Sequence, residues 1–196
     1  MGKKSGLKFK LKVRFFKTQA DFRRWLEKNG AKAKEVWIGF YKQGSGEVGI
    51  TYAQALDEAL CFGWIDGIKK SVDHLSYTNR FTPRSPKGKW SKINTGHIER
   101  LTKAGVMKPA GLAEVEKAKK DGRWAMAYDS ARSSTLPKDF LVALKKNKRA
   151  AAFFAELNKA NLYAISYRLQ NARKPETRAR WIGRIVAMLA EGKKFH

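Results

Sequence analysis

Strand-like patterning in this chain of 196 residues stops at Gly105. Beyond it the apolar residues step only by threes and fours: Leu112 and Val115, then Phe140, Leu141 and Leu144, then Phe153, Phe154 and Leu157, then Leu162, Ile165 and Leu169. That spacing lays an apolar stripe along a helix. The last segment is the plainest, with Pro175 in its first turn, Ile182, Ile185, Val186 and Leu189 on one face, and Gly192 past its end. Strands followed by a run of helices predict an α+β fold: a small, mostly antiparallel sheet with helices in the N-terminal half, followed by an all-helical C-terminal half. The α+β lobe is assigned to residues 1–105 and the helical lobe to residues 106–196, packed as one compact unit.

Within the first half, Thr18 with Asp21 and Thr51 with Gln54 have the spacing of capping boxes. The first opens a helix through Phe22, Trp25 and Leu26 that closes at Asn29 and Gly30; the second opens a helix through Leu56, Ala59 and Leu60 that ends at Gly63. Between them, residues 36–42 (VWIGFYK) are β-branched and aromatic on both faces, which predicts a central, doubly covered strand. Residues 43–46 are expected to turn that strand back toward Val48, Gly49 and Ile50. Ile68 and Val72 fall in one period-2 phase and Leu75, Tyr77, Asn79 and Phe81 in the other. A hairpin turning at Asp73 and His74 accounts for the slip, with a tight turn or a bulge at Asp66 and Gly67. Residues 83–94 form a loop leading through Ser91 into a helix lined by Ile93, His97 and Leu101. At the start of the chain Leu7, Phe9, Leu11 and Val13 alternate with Lys8, Lys10, Lys12 and Arg14, the pattern of a cationic edge strand or of a basic arm for nucleic acid.

Charge bounds the partners. Lys and Arg number 42 against 17 Asp and Glu, a formal net charge of +25. The excess is spread evenly, with 20 basic and 8 acidic residues in residues 1–98 and 22 and 9 in residues 99–196, so there is no basic tail. Residues 43–68 reverse the pattern: they contain Glu47, Asp57, Glu58 and Asp66 and no Lys or Arg. A hydrophobic content of 43%, with six Trp and eleven Phe, excludes disorder as the main state. No apolar run approaches the roughly 18–20 residues that cross a bilayer, and the lone Cys61 excludes a disulfide framework. The basic start lacks the continuous apolar segment of a secretory leader, so a cytoplasmic location is expected.

His74, His97 and His196 are scattered and no HxxxH, CxxC or HExxH occurs, so neither a metal nor a cofactor is expected. Cys61, late in a helix between Leu60 and Phe62, has the setting of a small core group rather than a nucleophile. No Walker-type loop and no GxSxG is present; no catalytic residue is assigned, and the chain reads as a binding protein more than an enzyme. Asp57 and Glu58, adjacent on a helix, point about 100° apart and make no carboxylate pair. Asp66, beside Trp64, Ile65 and Gly67, either caps its own turn or is half-buried and reaches Arg80 or Arg84. The densest basic cluster, Arg80, Arg84, Lys87, Lys89, Lys92, Arg100 and Lys103, is interleaved with Tyr77, Phe81 and Trp90. That mixture suits a phosphate backbone with stacked bases, and equally a solvated basic face.

ALCFGWIDG (59–67), FTPR (81–84), WSKIN (90–94), KKDGRW (119–124) and ETRARWIGRIVAMLAEGK (176–193), in that order, make the chain similar to the YdeI/OmpD-associated, or bacteriocin-protection, family. The resemblance runs from about Phe22 to Gly192. It implies a role in tolerance of bacteriocins or cationic antimicrobial peptides and an association with an outer-membrane porin, and it implies no reaction. Its motif residues Trp64, Asp66, Arg84, Trp90, Ser91 and Asn94 have the composition of a small polar pocket. In the other reading the two Trp are core, Ser91 is a cap, and Asp66 with Arg84 is a structural ion pair. Three functions stand at this point. One is a non-enzymatic stress-protection protein that binds an unidentified partner. Another is a nucleic-acid-binding module using Arg80, Lys87, Lys89, Lys92, Arg100 and Lys103. The third is an enzyme or binder of a small anionic ligand at Trp64, Asp66 and Arg84.

Overall fold

The computed structural model describes residues 12–195; Leu7, Phe9 and Leu11 of the alternating start lie outside them. The chain divides into two compact units, one running up to Gly88 and resuming at Gly96–Trp124, the other made of Lys89–Thr95 and everything from Ala125 on.

The first unit is built on a four-stranded sheet of order β1-β2-β4-β3, formed by β1 (Val13–Phe15), β2 (Val36–Tyr41), β3 (Trp64–Ser71) and β4 (Ser76–Pro83). Only the β1·β2 pair is parallel, so the sheet is mostly antiparallel. Helices α1 (Gln19–Asn29) and α2 (Tyr52–Cys61) each start at a complete capping box, on Thr18 with Asp21 and on Thr51 with Gln54. In each box the threonine hydroxyl accepts one orphan N–H of the first turn, while the acid or amide accepts the cap's own N–H. The stripes that follow are buried. Phe22 and Leu26 of α1 and Ala55 and Ala59 of α2 pack on Val36, Ile38 and Phe40 of β2, together with Trp64 and Phe81.

β2 is central as its composition requires, and its other face carries Trp37, Gly39 and Tyr41. A Cβ on Gly39 would fall 2.4 Å from the Phe15 ring, so glycine at this point lets Phe15 lie across the strand and stack on Tyr41 at 5.0 Å. Residues 43–46 turn as expected, with the Ser45 N–H donating to the Lys42 carbonyl at 3.1 Å, but the chain that follows adds no strand to β2. Both edges of β2 are already hydrogen-bonded, to β1 and to β4, so no edge is open to a further strand. Instead Val48 is 84% exposed, and Ile50 enters the core while its N–H donates to the Phe16 carbonyl at 2.9 Å.

The β3–β4 hairpin turns where the phase slips. Asp73 Oδ1 accepts the Ser76 hydroxyl at 2.9 Å and the N–H groups of Leu75 and Ser76 at 2.8 and 2.7 Å, and these bonds, the hydroxyl's first, hold its carboxyl below the ordinary aspartate value. The register shift between Asp66 and Lys69 is the bulge anticipated at Asp66 and Gly67. Helix α3 (Lys92–Lys103) buries Thr95, Ile98 and Leu101, not Ile93, which is 52% exposed. The stripe is therefore rotated from the expected one, because Ile98 rather than His97 continues it toward Leu101. Helix α4 (Pro109–Lys120) passes so close to the end of α2 that a Cβ on Gly111 would meet the Cys61 carbonyl oxygen at 2.2 Å.

In the second unit, α5 (Lys138–Lys145), α6 (Lys148–Ala155), α7 (Lys159–Gln170) and α8 (Pro175–Ala190) close around Phe140, Leu144, Ala150, Leu157, Ile165, Leu169, Ile185 and Leu189. The segment Lys89–Thr95 belongs here through backbone bonds. Tyr128 N–H donates to the Trp90 carbonyl at 3.0 Å and Lys92 N–H to the Tyr128 carbonyl at 2.9 Å. Arg178 ties α8 to α5 through two bonds to Asp139, and to α7 through one to the Leu169 carbonyl. Among the described residues no helix is long and apolar enough to cross a membrane.

Candidate ligand-binding site

A cleft of about 640 Å³ opens in the first unit where β1, β2, β3 and β4 meet the end of α1. Its aromatic walls are Trp25 and Trp37. Strand register explains the second wall: Trp37 pairs with Val13 on one side and with Arg80 on the other, on the face of β2 opposite Ile38. A cation lies at each ring. Lys70 Nζ lies 5.0 Å from the Trp37 ring centre and the Arg14 guanidinium 6.0 Å from that of Trp25, while Lys12 and Arg80 complete the lining. Both distances fall in the range where a cation is drawn to an aromatic face.

One carboxylate organises this set. Glu35 Oε2 accepts from Arg80 Nε and Nη2 at 2.7 and 2.6 Å, and its other oxygen accepts the Trp37 indole N–H at 3.2 Å. Glu35 thus fixes a ring and a guanidinium together, and those two donors hold its carboxyl below the ordinary glutamate value. Four cations against one carboxylate leave the cleft positive, which suits an anion.

The six motif residues Trp64, Asp66, Arg84, Trp90, Ser91 and Asn94 sit elsewhere, and of the residues singled out as basic candidates Arg80 lines the cleft. Trp64 is 1% exposed, packs edge-on to Trp25 at 5.9 Å, and donates its indole N–H to the Gly30 carbonyl, which is the position of a core side chain. Asp66 accepts the Tyr52 hydroxyl at 2.7 Å, and burial, with that contact added, raises the phenol's pKa. Arg84 is buried, with its backbone N–H donating to the Gly63 carbonyl at 2.9 Å. These three belong to the first unit, whereas Trp90, Ser91 and Asn94 belong to the second. There Trp90 is buried, and Ser91 Oγ caps α3 by accepting the Asn94 N–H at 3.2 Å.

The basic cluster is distributed in the same way. Arg80 is bound to Glu35, Lys92 to Asp129 at 2.7 Å, and Arg100 to Asp57 at 2.6 Å. Lys87 and Lys103 are exposed. Lys89 lies with its ammonium 5.3 Å from the Tyr167 ring.

Three of the four acids in the acidic stretch are engaged by side chains of other elements, while Glu47 is exposed. Glu58, only 4% exposed, accepts from Arg23 Nη1 at 2.8 Å and from Gln19 Nε2 at 2.7 Å, while Asp57 turns to Arg100 and His97. The two carboxylates diverge as helical geometry requires. Cys61 is buried, and burial pushes its thiol up to about 11, so no thiolate is present at neutral pH. Among the described residues no group of three or more His, Cys, Asp and Glu is placed to hold a metal ion.

Two family models match the chain. Residues 14–114 match one described as a domain of unknown function (DUF8412), and residues 133–192 match bacteriocin-protection, YdeI or OmpD-associated. The ALCFGWIDG stretch falls in the first match and the RWIGRIVAMLA helix in the second. No curated protein and no solved structure matches significantly.

Proposed function

We propose that this chain, which belongs to the DUF8412 family and in its C-terminal part to the bacteriocin-protection, YdeI or OmpD-associated family, is a non-enzymatic binding protein whose ligand is a small anion bearing a planar ring. The observation behind this reading is the cleft with Trp25 and Trp37 as walls and Arg14, Lys70 and Arg80 at their edges. Its volume of about 640 Å³ is that of a site for a molecule of nucleotide size. A planar ring gains by lying against an indole face, and an anionic tail gains from charge-assisted bonds to Arg and Lys. Glu35 spares the ligand the cost of ordering Trp37 and Arg80. The biological setting we infer is tolerance of bacteriocins or cationic peptides, with ligand occupancy governing the association with a partner.

Calorimetric titration with adenosine monophosphate, and with benzoate as a minimal ring-bearing anion, tests the binding. Saturable heat is expected from at least one of them, and Lys70→Glu weakens it by about tenfold or more. Absence of heat with both ends the reading. A deletion strain supplies the second test. It should be more sensitive to bacteriocins and cationic peptides, and it should be rescued by the wild-type gene but not by one carrying Lys70→Glu.

A further inference from the structure

A second cavity, about 770 Å³, runs along α7 in the helical unit, and an adjoining one of about 330 Å³ shares Ala131, Arg132, Lys159 and Tyr163 with it. Together they make an elongated groove rather than a closed pocket. Its floor is flat, because Ala160 and Ala164 stand one turn apart on α7, and its walls are the half-buried rings of Tyr163, Tyr167 and Phe195. Its charged members are all cations: Arg132, Lys159 and Arg168, with no carboxylate among the described residues that line it. Asp129, whose carbonyl accepts the Tyr163 hydroxyl, has its carboxylate held by Lys92 at 2.7 Å and by Gln170 at 2.8 Å.

We propose that this groove binds single-stranded nucleic acid, with Tyr163 and Tyr167 receiving bases and Arg132, Lys159 and Arg168 receiving phosphates. Ring faces in a cationic groove are what an unpaired strand engages, since every base presents a π-face once it is unstacked. A duplex keeps its bases inside and has only phosphates to offer. Two features prepare the groove. Arg168 is stacked 4.5 Å from the Trp181 ring centre, so its guanidinium plane is already oriented. Lys89 places its ammonium 5.3 Å from the Tyr167 ring centre and adds a further cation beside the groove. The proposal uses no residue of the cleft in the first unit and stands or falls apart from it.

The test is fluorescence anisotropy with a labelled oligothymidylate of about twelve nucleotides at low salt, the full chain being used throughout. Arg132→Glu combined with Lys159→Glu, both on exposed side chains, should weaken binding by more than about tenfold, whereas Lys70→Glu in the other unit should leave it within about twofold. On the wild-type protein, irradiating a complex with iododeoxyuridine-substituted oligomer should attach it to the peptide containing Tyr163 and Tyr167, a readout that needs no variant to fold. Equal loss with Lys70→Glu, attachment elsewhere, or equal affinity for a duplex of the same length would each overturn the proposal. So would displacement by polyglutamate at matched charge with the same sensitivity to the double variant, which would give the groove to an acidic polypeptide instead.

Discussion

The stretch 43–68 and the groove along α7 are opposite solutions to one scarcity. With 42 basic and 17 acidic side chains, carboxylates are the limiting partner, and where they go decides which cations are locked. In the acidic stretch, Asp57, Glu58 and Asp66 are all engaged by groups from other elements: Arg100, Arg23 with Gln19, and Tyr52. There the charges build structure. In the groove three cations stand without a carboxylate among the described residues that line it, and we read their charge as left for a ligand. The cleft of the first unit lies between these extremes, with a single Glu35 spent on ordering one arginine and one tryptophan. A run of acidic residues in the sequence is therefore no guide to an acidic surface in this fold, and a diffuse basic excess still yields particular unneutralised sites.

The largest effect should come from breaking the locked side of this contrast. Glu58→Ala leaves Arg23, itself three-quarters buried, without its main partner, and should lower stability by about 2–3 kcal/mol, read as a shift in the urea midpoint at unchanged slope. A shift under about 1 kcal/mol would mean that the acidic stretch is not structural. Next is salt. An oligothymidylate held by three phosphate contacts should lose about tenfold to twentyfold in affinity between 50 and 200 mM salt, and a single anion in the cleft much less. Equal slopes would erase the distinction between groove and cleft. Glu35→Gln comes third: loss of the clamp should weaken the cleft's ligand about threefold, and a gain in affinity would show that Glu35 merely competes with the ligand.

The same clamp makes a pH prediction. Arg80 and Trp37 depress the Glu35 pKa, so the clamp persists as pH falls past the ordinary glutamate value of about 4.5 and is lost only below it. Ligand affinity measured down the acid range should hold to that point. Smallest of all is Asp57→Asn, expected to cost about 0.5 kcal/mol or less, because Arg100 is 54% exposed and water replaces much of the pair.

The parts of this architecture that depend on near neighbours were legible in the sequence. Thr18 with Asp21, Thr51 with Gln54, the phase slip at Asp73 and the α8 stripe are all local patterns, and each fixes an element through bonds reaching three or four residues. The cleft was not legible, for physical reasons. Trp25 sits at the i+3 position of an apolar stripe and reads as core, and indeed one side of it packs on Phe22. Trp37 lies in a strand that is apolar on both faces, which conceals that one of its rings borders a cavity. The pairing of Glu35 with Arg80 exists only once β2 and β4 are in register. Ion partners are hidden by the same arithmetic, since any of the many cations is a formal candidate for each acid, and only the packing of α1 on α2 selects Arg23 for Glu58. The turn at residues 43–46 leads to no strand beside β2 because the neighbours of β2 in the sheet come from distant sequence, and composition does not reveal that its edges are taken.

The path of the chain through its two units bears on how such a protein can be divided or inherited. Lys89–Thr95 counts with the helical unit, yet Gly96–Trp124 returns to the first before the chain leaves for good at Ala125. A gene cut between Trp124 and Ala125 would therefore separate no self-sufficient halves. The upstream product would carry Trp90 and Lys92 without Tyr128, and the downstream product would begin with its first backbone partners missing. Recombination or truncation at that point is disfavoured for the same reason, so the two halves should be retained and lost together.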